Sequence, residues 1–251
     1  MKSQIAALLA LATLSCARVQ PTTQDAPWET GTFSILAMDP ETGEIGGAVQ
    51  SRVFSVGNGV LWAEAGVGAA ATQAVVDVSY GPQAIAMLKQ GKSPQDIVTT
   101  IWKNDPDPQP ERWTKEGRQF AVIDAKGNVF AYTGPKAPTE AAHKACSAAN
   151  AKCTAQGNTL AGKAVVDSMV AFYERTPGHI SLRLLAALEG GQLAGGDHRG
   201  QQSAAMIVVK KDAGVWLHND VVLRLQVDDN PEPIKELRRL VEMAARQRRP
   251  R

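Results

Sequence analysis

The stretch ETGTFSILAMDPETGE, residues 29–44, carries the reading from which the fold follows. Thr32 to Met38 is rich in β-branched and bulky apolar residues, and Asp39-Pro40-Glu41-Thr42-Gly43 has the composition of a reversal. Ile45 to Ser51 reads as the returning strand, so the pattern predicts a domain that opens with an antiparallel hairpin. Gly31 and Thr32, a flexible residue and a free hydroxyl, stand at its entrance.

Outward from this hairpin, Val67 to Val76 is a third extended run, whose small side chains imply close approach of backbones or of a ligand. Gly81 to Lys89 and a segment opened by Ser93-Pro94, with Ile97, Ile101 and Trp102 at helical spacing, predict two helices. Arg118–Asp124 and Asn128–Thr133 predict a second hairpin around Ala125-Lys126-Gly127. Leu160–Glu174 and Ile180–Glu189 read as a helix pair, Ser203–Val209 and Val221–Val227 as the last strands. A final helix follows Asp229-Asn230-Pro231, with Ile234, Leu237, Leu240, Val241 and Ala244 on one side. Strands grouped in hairpins and helices grouped in pairs argue for an α+β fold with helical layers on antiparallel sheets.

With 251 residues, 44% of them hydrophobic, the chain can bury the core of one domain. The net charge is only +2, and Arg246, Arg248, Arg249 and Arg251 crowd the C-terminus, so no nucleic-acid footprint is visible. Residues 1–20 read as an export signal: Lys2, then the apolar run Ile5 to Leu14, then small residues at Ser15, Cys16 and Ala17. Leu14-Ser15-Cys16 resembles a lipoprotein signal, which leaves lipidation of Cys16, and with it a lipid anchor, beside simple cleavage. Residues 21–30 form a linker, 31–247 the domain and 248–251 a basic tail.

Cys146 and Cys153 lie in a polar, alanine-rich segment read as a loop, and an oxidising compartment favours their pairing. A metal site is the alternative, but His143 alone leaves the ligand set short. No phosphate-binding glycine loop is present, so no cofactor and no metal are expected.

Several segments go further: Thr32-Phe33-Ser34-Ile35, Ala48 to Arg52, Gly66 to Gln73, Gln156-Gly157-Asn158-Thr159-Leu160, Gly195 to Ala205, and Leu223 to Asp229. Across residues 31 to about 243 the chain resembles the DUF1028 family, whose fold is that of the N-terminal-nucleophile (Ntn) hydrolases. The resemblance implies a four-layer αββα sandwich. It also implies Thr32 as the candidate nucleophile, with its own α-amine as general base once Thr32 is the first residue. An α-amine with an unperturbed pKa of about 7.7–8.0 is suited to that task. The competing reading of Thr32 is a β-branched residue beginning a strand, because signal cleavage alone leaves it in peptide linkage.

Ser51 and Arg52 end the second strand, so a tight hairpin brings them near Thr32. Arg52 then binds a substrate carboxylate or holds an amine unprotonated, or else pairs structurally with Asp197 or Asp228. Gln73, beside Thr72, and Asn158 are candidate oxyanion donors, the alternative being satisfied strand ends and glycine turns. Thr72, Asp197, Arg199 and Asp228 complete a candidate binding set; Asp197, Asp228 and Asp229 could hold a cation, or Asp229 and Asn230 simply cap a helix. The family usually carries histidine where this chain has Asn230.

Two functions follow. One is an exported, periplasmic or secreted amidohydrolase acting on a small amide or peptide-like compound. The other is an exported small-molecule binding protein that keeps the Ntn fold without a freed amine. The sequence does not specify the substrate, and a homodimer is left open.

Overall fold

The computed structural model describes residues 31–214 and 219–247; the export signal, the linker, Cys16 and the basic tail lie outside the described residues. The opening hairpin forms as its sequence requires. Strands β1 (Thr32–Met38) and β2 (Ile45–Ser51) pair antiparallel from Thr32↔Ser51 to Met38↔Ile45. In the turn, the Gly43 N–H donates to the Asp39 carbonyl at 2.8 Å, and Gly43 takes φ 73°, a region that costs glycine no steric clash.

The remaining strands are β3 (Leu61–Glu64), β4 (Gly68–Ala74), β5 (Arg118–Asp124), β6 (Val129–Thr133), β7 (Ala142–Ala145), β8 (Lys152–Asn158), β9 (Ser203–Val209) and β10 (Val221–Val227). They make two antiparallel sheets, one of order β10-β9-β2-β1-β8-β7 and one of order β3-β4-β5-β6. Gly46 lets β9 come close to β2, since a Cβ there would lie 2.1 Å from the Ile207 carbonyl oxygen.

Five α-helices are described: α1 (Tyr80–Lys89), α2 (Pro94–Asn104), α3 (Ala164–Arg175), α4 (Ile180–Leu193) and α5 (Pro233–Gln247). Ser93 caps α2 by accepting from the Asp96 N–H at 3.1 Å, with Pro94 at the first helical position, where no N–H is needed. Alternation along the strands then sorts the apolar residues. Phe33, Ile35, Ala48, Ala155, Met206 and Val208 pack with α3, α4 and α5 residues. Leu36, Ile45, Val49, Ala69, Ala71, Ala121, Ile123 and Ile207 join the two sheets. Ala70, Phe120 and Val122 pack with α1 and α2.

Three expectations are corrected. The cysteine segment is no loop: Cys146 directly follows β7, and Cys153 lies within β8, in a hairpin where the Cys146 N–H donates to the Cys153 carbonyl at 2.9 Å. The disulfide closes that hairpin with Cα atoms 5.1 Å apart. Asn158 accordingly ends a strand beside β1 instead of sitting in a glycine turn. The helix expected from Leu160 starts at Ala164, because Thr159 turns the chain at φ 54° and Leu160 forms a β-bridge to Asp197.

Candidate functional site

Strands β1, β2, β4, β5 and β8 bring Ser34, Ser51, Gln73, Gln119, Gln156 and Asn158 together at one end of the sheets, and Thr32 lies at that end. Its side chain is buried, at 5% exposure. Thr32 Oγ1 lies 3.1 Å from Ser51 Oγ, the direct cross-strand partner dictated by the hairpin register. Ser51 Oγ also donates to the Gly31 carbonyl at 2.5 Å and accepts from the Val53 N–H at 3.1 Å. A hydroxyl has one proton to give, so Thr32 must be the donor toward Ser51. A directed chain results: Thr32 hydroxyl to Ser51 hydroxyl to the carbonyl oxygen of the Gly31–Thr32 peptide. The Arg52 N–H reaches that same oxygen at 3.4 Å.

The carbonyl of Thr32 itself is held from the opposite side. Gln73 Nε2 donates to it at 3.2 Å and Asn158 Nδ2 at 3.3 Å. Both amides also donate to Gln119 Oε1, at 2.7 and 3.2 Å, while Gln73 Oε1 accepts from Ser34 Oγ at 2.6 Å. Gln156 Nε2 completes the network on Ser34 Oγ at 2.6 Å. This amide cluster welds β1, β4, β5 and β8 around Thr32. Two of its flanks, Ala74 (φ 67°) and Thr159 (φ 54°), are non-glycine residues in the left-handed region, an arrangement that concentrates at functional positions.

Asp197 and Arg199 lie against Gly31. The guanidinium grips the carboxylate through Nε–Oδ1 at 3.0 Å and Nη2–Oδ2 at 2.7 Å, and the carboxylate is fully buried. A Cβ on residue 31 would fall 1.6 Å from Arg199 Nη2, so only glycine fits beside this pair. The Arg52 side chain turns elsewhere, donating to Gln202 Oε1 at 3.1 Å. Thr72 faces away, its hydroxyl on the Asp77 carbonyl at 3.1 Å.

Asp228 accepts from Ser55 Oγ at 2.5 Å and from Gln226 Nε2; the Ser55 bond, with help from Gln226, holds its carboxyl below the usual carboxylate range. Ser55 also accepts from Asn58 Nδ2 at 2.8 Å and Gln226 Nε2 at 3.0 Å, so its hydrogen-bonding capacity is spent. Asp229 accepts from Gln202 Nε2 at 3.1 Å, and Asn230 accepts the Glu232 N–H at 2.8 Å in the turn before α5. Among the described residues no group of three His, Cys, Asp or Glu side chains is placed to hold a metal.

A cleft of about 200 Å³ opens onto Thr32 and Ser51. Val56, Val60 and Ala74 are buried in its wall, Trp113 lines it, and Val53, Phe54 and Val78 form an exposed lip. Behind it, Arg118 donates to the Val75 carbonyl at 2.8 Å and the Trp113 carbonyl at 3.1 Å, and its Nε pairs with Asp105 Oδ2 at 3.1 Å. Tyr80 donates to the same carboxylate oxygen at 2.6 Å. Burial by itself would raise the Asp105 carboxyl, but the Tyr80 hydroxyl, the Asp107 N–H and Arg118 together hold it below its ordinary value. Burial, with Asp105 next to it, pushes the Tyr80 hydroxyl far up.

Ser34, Gln119, Gln156, Trp113 and the Val53-Phe54 lip escaped the sequence reading. The signal was present in part: Gln73 and Gln119 each occupy a face that is otherwise apolar at period two, with Ala69 and Ala71 or Ala121 and Ile123, and Ser34 shares its face with Leu36 and Met38.

The fold and site define a mixed α/β protein of two antiparallel sheets with a hydroxyl and amide cluster at one end. A family model described as "Family of unknown function (DUF1028)" matches residues 32–237. The chain belongs to that family. The crystal structure of a Silicibacter pomeroyi protein of the same family is similar at 32% identity and a TM-score of 0.74, covering 86% of this chain and 87% of that one. Anbu, an ancestral β-subunit from Yersinia bercovieri, aligns at 8% identity and a TM-score of 0.37 over 87% of this chain and 98% of that chain. No curated protein matches the chain.

Proposed function

We propose that the protein is an exported Ntn-type amidohydrolase with Thr32 as nucleophile, on a four-layer αββα sandwich. The layer order is supported by the three apolar clusters, which contain α3–α5 with one sheet, both sheets together, and the other sheet with α1–α2. Export is supported by the signal-like residues 1–20 and by a disulfide suited to an oxidising compartment.

The observation that carries the reading is the directed chain from the Thr32 hydroxyl through Ser51 to the Gly31 carbonyl. In peptide linkage Thr32 has no basic amine, so the Gly31–Thr32 bond must first be cut. Thr32 Oγ1 attacks the Gly31 carbonyl carbon. Ser51 O–H and Arg52 N–H stabilise the oxyanion, the C–N bond breaks to an ester as the Thr32 hydroxyl proton passes to the Thr32 nitrogen, and water hydrolyses the ester to the Gly31 carboxylic acid, restoring the Thr32 hydroxyl beside its free amine. In turnover that amine takes the Thr32 hydroxyl proton as Oγ1 adds to the substrate amide carbon. The leaving nitrogen recovers the proton as the C–N bond breaks, and water, deprotonated by the amine, hydrolyses the acyl ester to a carboxylic acid.

Gln73 and Asn158, on the Thr32 carbonyl, fix the strand end that carries the nucleophile, and the Asp197–Arg199 pair shapes the position of Gly31. The second reading is a binding protein that uses the same cleft with Thr32 left in peptide linkage. Intact-mass and N-terminal sequencing of protein from its native compartment separates the two. The hydrolase reading expects a chain beginning at Thr32, and a Thr32→Ala variant that is neither cut nor active on a panel of small amides. An active protein with an intact Gly31–Thr32 bond refutes it.

A further inference from the structure

The cleft beside Thr32 specifies the acyl side of its substrate. Its side-chain polar groups are already committed: Ser51 and Ser55 have full hydrogen-bonding complements, Gln73 is shared among Ser34, Gln119 and Thr32, and Trp113 Nε1 donates to the Val76 carbonyl at 2.7 Å. Trp113 therefore turns an apolar body to the cleft. No lining residue is charged. The Thr32 hydroxyl gives its proton to Ser51 and keeps only acceptor capacity, so a carboxylate entering this space would lose its water without gaining a side-chain donor, which costs about a factor of five or more in affinity. Apolar cavities of about 150 Å³ hold one benzene molecule, and this cleft measures about 200 Å³.

We infer that the cleft takes the uncharged, apolar acyl group of an N-acyl compound, about the size of one aromatic ring or a chain of roughly six carbons. The inference rests on the proposal that Thr32 is the acylated residue. Phe54 and Val78, 64% and 51% exposed, form the lip against which the group enters. Charged acyl groups such as succinyl are excluded, and acetyl leaves most of the space unfilled.

Calorimetric titration of the full chain and of its Thr32→Ala variant with phenylacetamide, hexanamide, acetamide and succinamic acid tests the assignment without requiring turnover. Phenylacetamide and hexanamide are expected to bind at least tenfold tighter than acetamide or succinamic acid, in both proteins. Val78→Glu, a substitution at an exposed position, is expected to weaken the two larger amides about tenfold through a charge at the lip. Equal affinities, tighter binding of succinamic acid, an unaffected Val78→Glu protein, or no detectable binding of the two larger amides overturns the inference. Turnover that survives Thr32→Ala would instead sink the nucleophile while leaving the binding order to be read on its own.

Discussion

Removing the carboxylate of Asp105 should be among the most damaging single changes in the molecule. Arg118 is 2% exposed and Asp105 fully buried at the side chain, 3.1 Å apart. Arginine stays charged in proteins, so Asp105→Ala leaves a buried guanidinium with only the Val75 and Trp113 carbonyls, and it strips the Tyr80 hydroxyl of its acceptor. Breaking a buried pair from one side costs about 3–5 kcal/mol. For a chain of this size that is a fall in Tm of about 6–20 °C, taken at about 2–4 °C per kcal/mol. Because Arg118 anchors the backbone on both sides of the cleft wall, loss of the pair should also loosen Trp113.

The assay is thermal and urea unfolding of wild type, Asp105→Ala, Asp105→Leu, Arg118→Met and the double variant Asp105→Leu/Arg118→Met, the last three forming the cycle with wild type. The double variant should lose less than the sum of the single losses, since an apolar pair needs no partner. The pH dependence has a definite sign. The folded carboxyl of Asp105 lies below its unfolded value, so its contribution is fully present above about pH 3.9 and is lost as pH falls through the lower folded value. A single-variant loss below about 1 kcal/mol, or strictly additive losses in the cycle, would refute this reasoning.

Gln50, on the helix-facing side of β2 between Phe33 and Ala204, is fully buried, and neither of its amide atoms has a hydrogen-bond partner among the described residues. Gln50→Met keeps the shape and deletes the unmet groups, so stability in urea should rise by about 1–2 kcal/mol; a loss of that size would mean the amide is satisfied in solution. Cys146→Ala/Cys153→Ala should cost about 2 kcal/mol in the chain-entropy account of so short a loop. It should leave ligand binding unchanged, because Cys153 pairs with Ala37, five residues along β1 from Thr32. A melting curve of wild type that reductant does not shift would contradict the first expectation.

What the sequence disclosed and what it hid follow from period and composition. Strands β1, β5 and β10 carry bulky apolar residues at alternate positions, β9 ends in the apolar run Met206 to Val209, and Gly43 and Gly127 punctuate the turns after β1 and β5, so these hairpins were legible. Helix α5 was legible through Ile234, Leu237 and Val241, whose spacing buries one side. Residues 142–158 offered neither cue. Their strands are built from Ala, Cys, Thr, Gln, Gly and Asn with His143, Lys144 and Lys152 among them, and pairing with β1 and β7, not a pattern, makes β8 a strand. β3 has four residues, too few for any period to declare itself. Thr32 and Ser51 could be placed together from the hairpin alone; Gln119 could not, because Asn158 and Gly157 reach it from the other sheet.

That cross-sheet placement explains why the polar end is made of amides and hydroxyls. Between the sheets the face passes from Leu36, Val49, Ala71 and Ala121 to Ser34, Ser51, Gln73 and Gln119 two residues along each strand, and Gln156 and Asn158 join them from β8. A carboxylate or ammonium among these side chains would need a counter-charge at full burial, and its removal from water would cost more than the bonds it made. An amide carries both donor and acceptor, so Gln73 and Gln119 bridge the sheets with neither left unmet. The one nearby ion pair, Asp197–Arg199, sits outside this layer against Gly31, where Arg199 retains some solvent exposure. Thr32 is thus held by neutral groups alone.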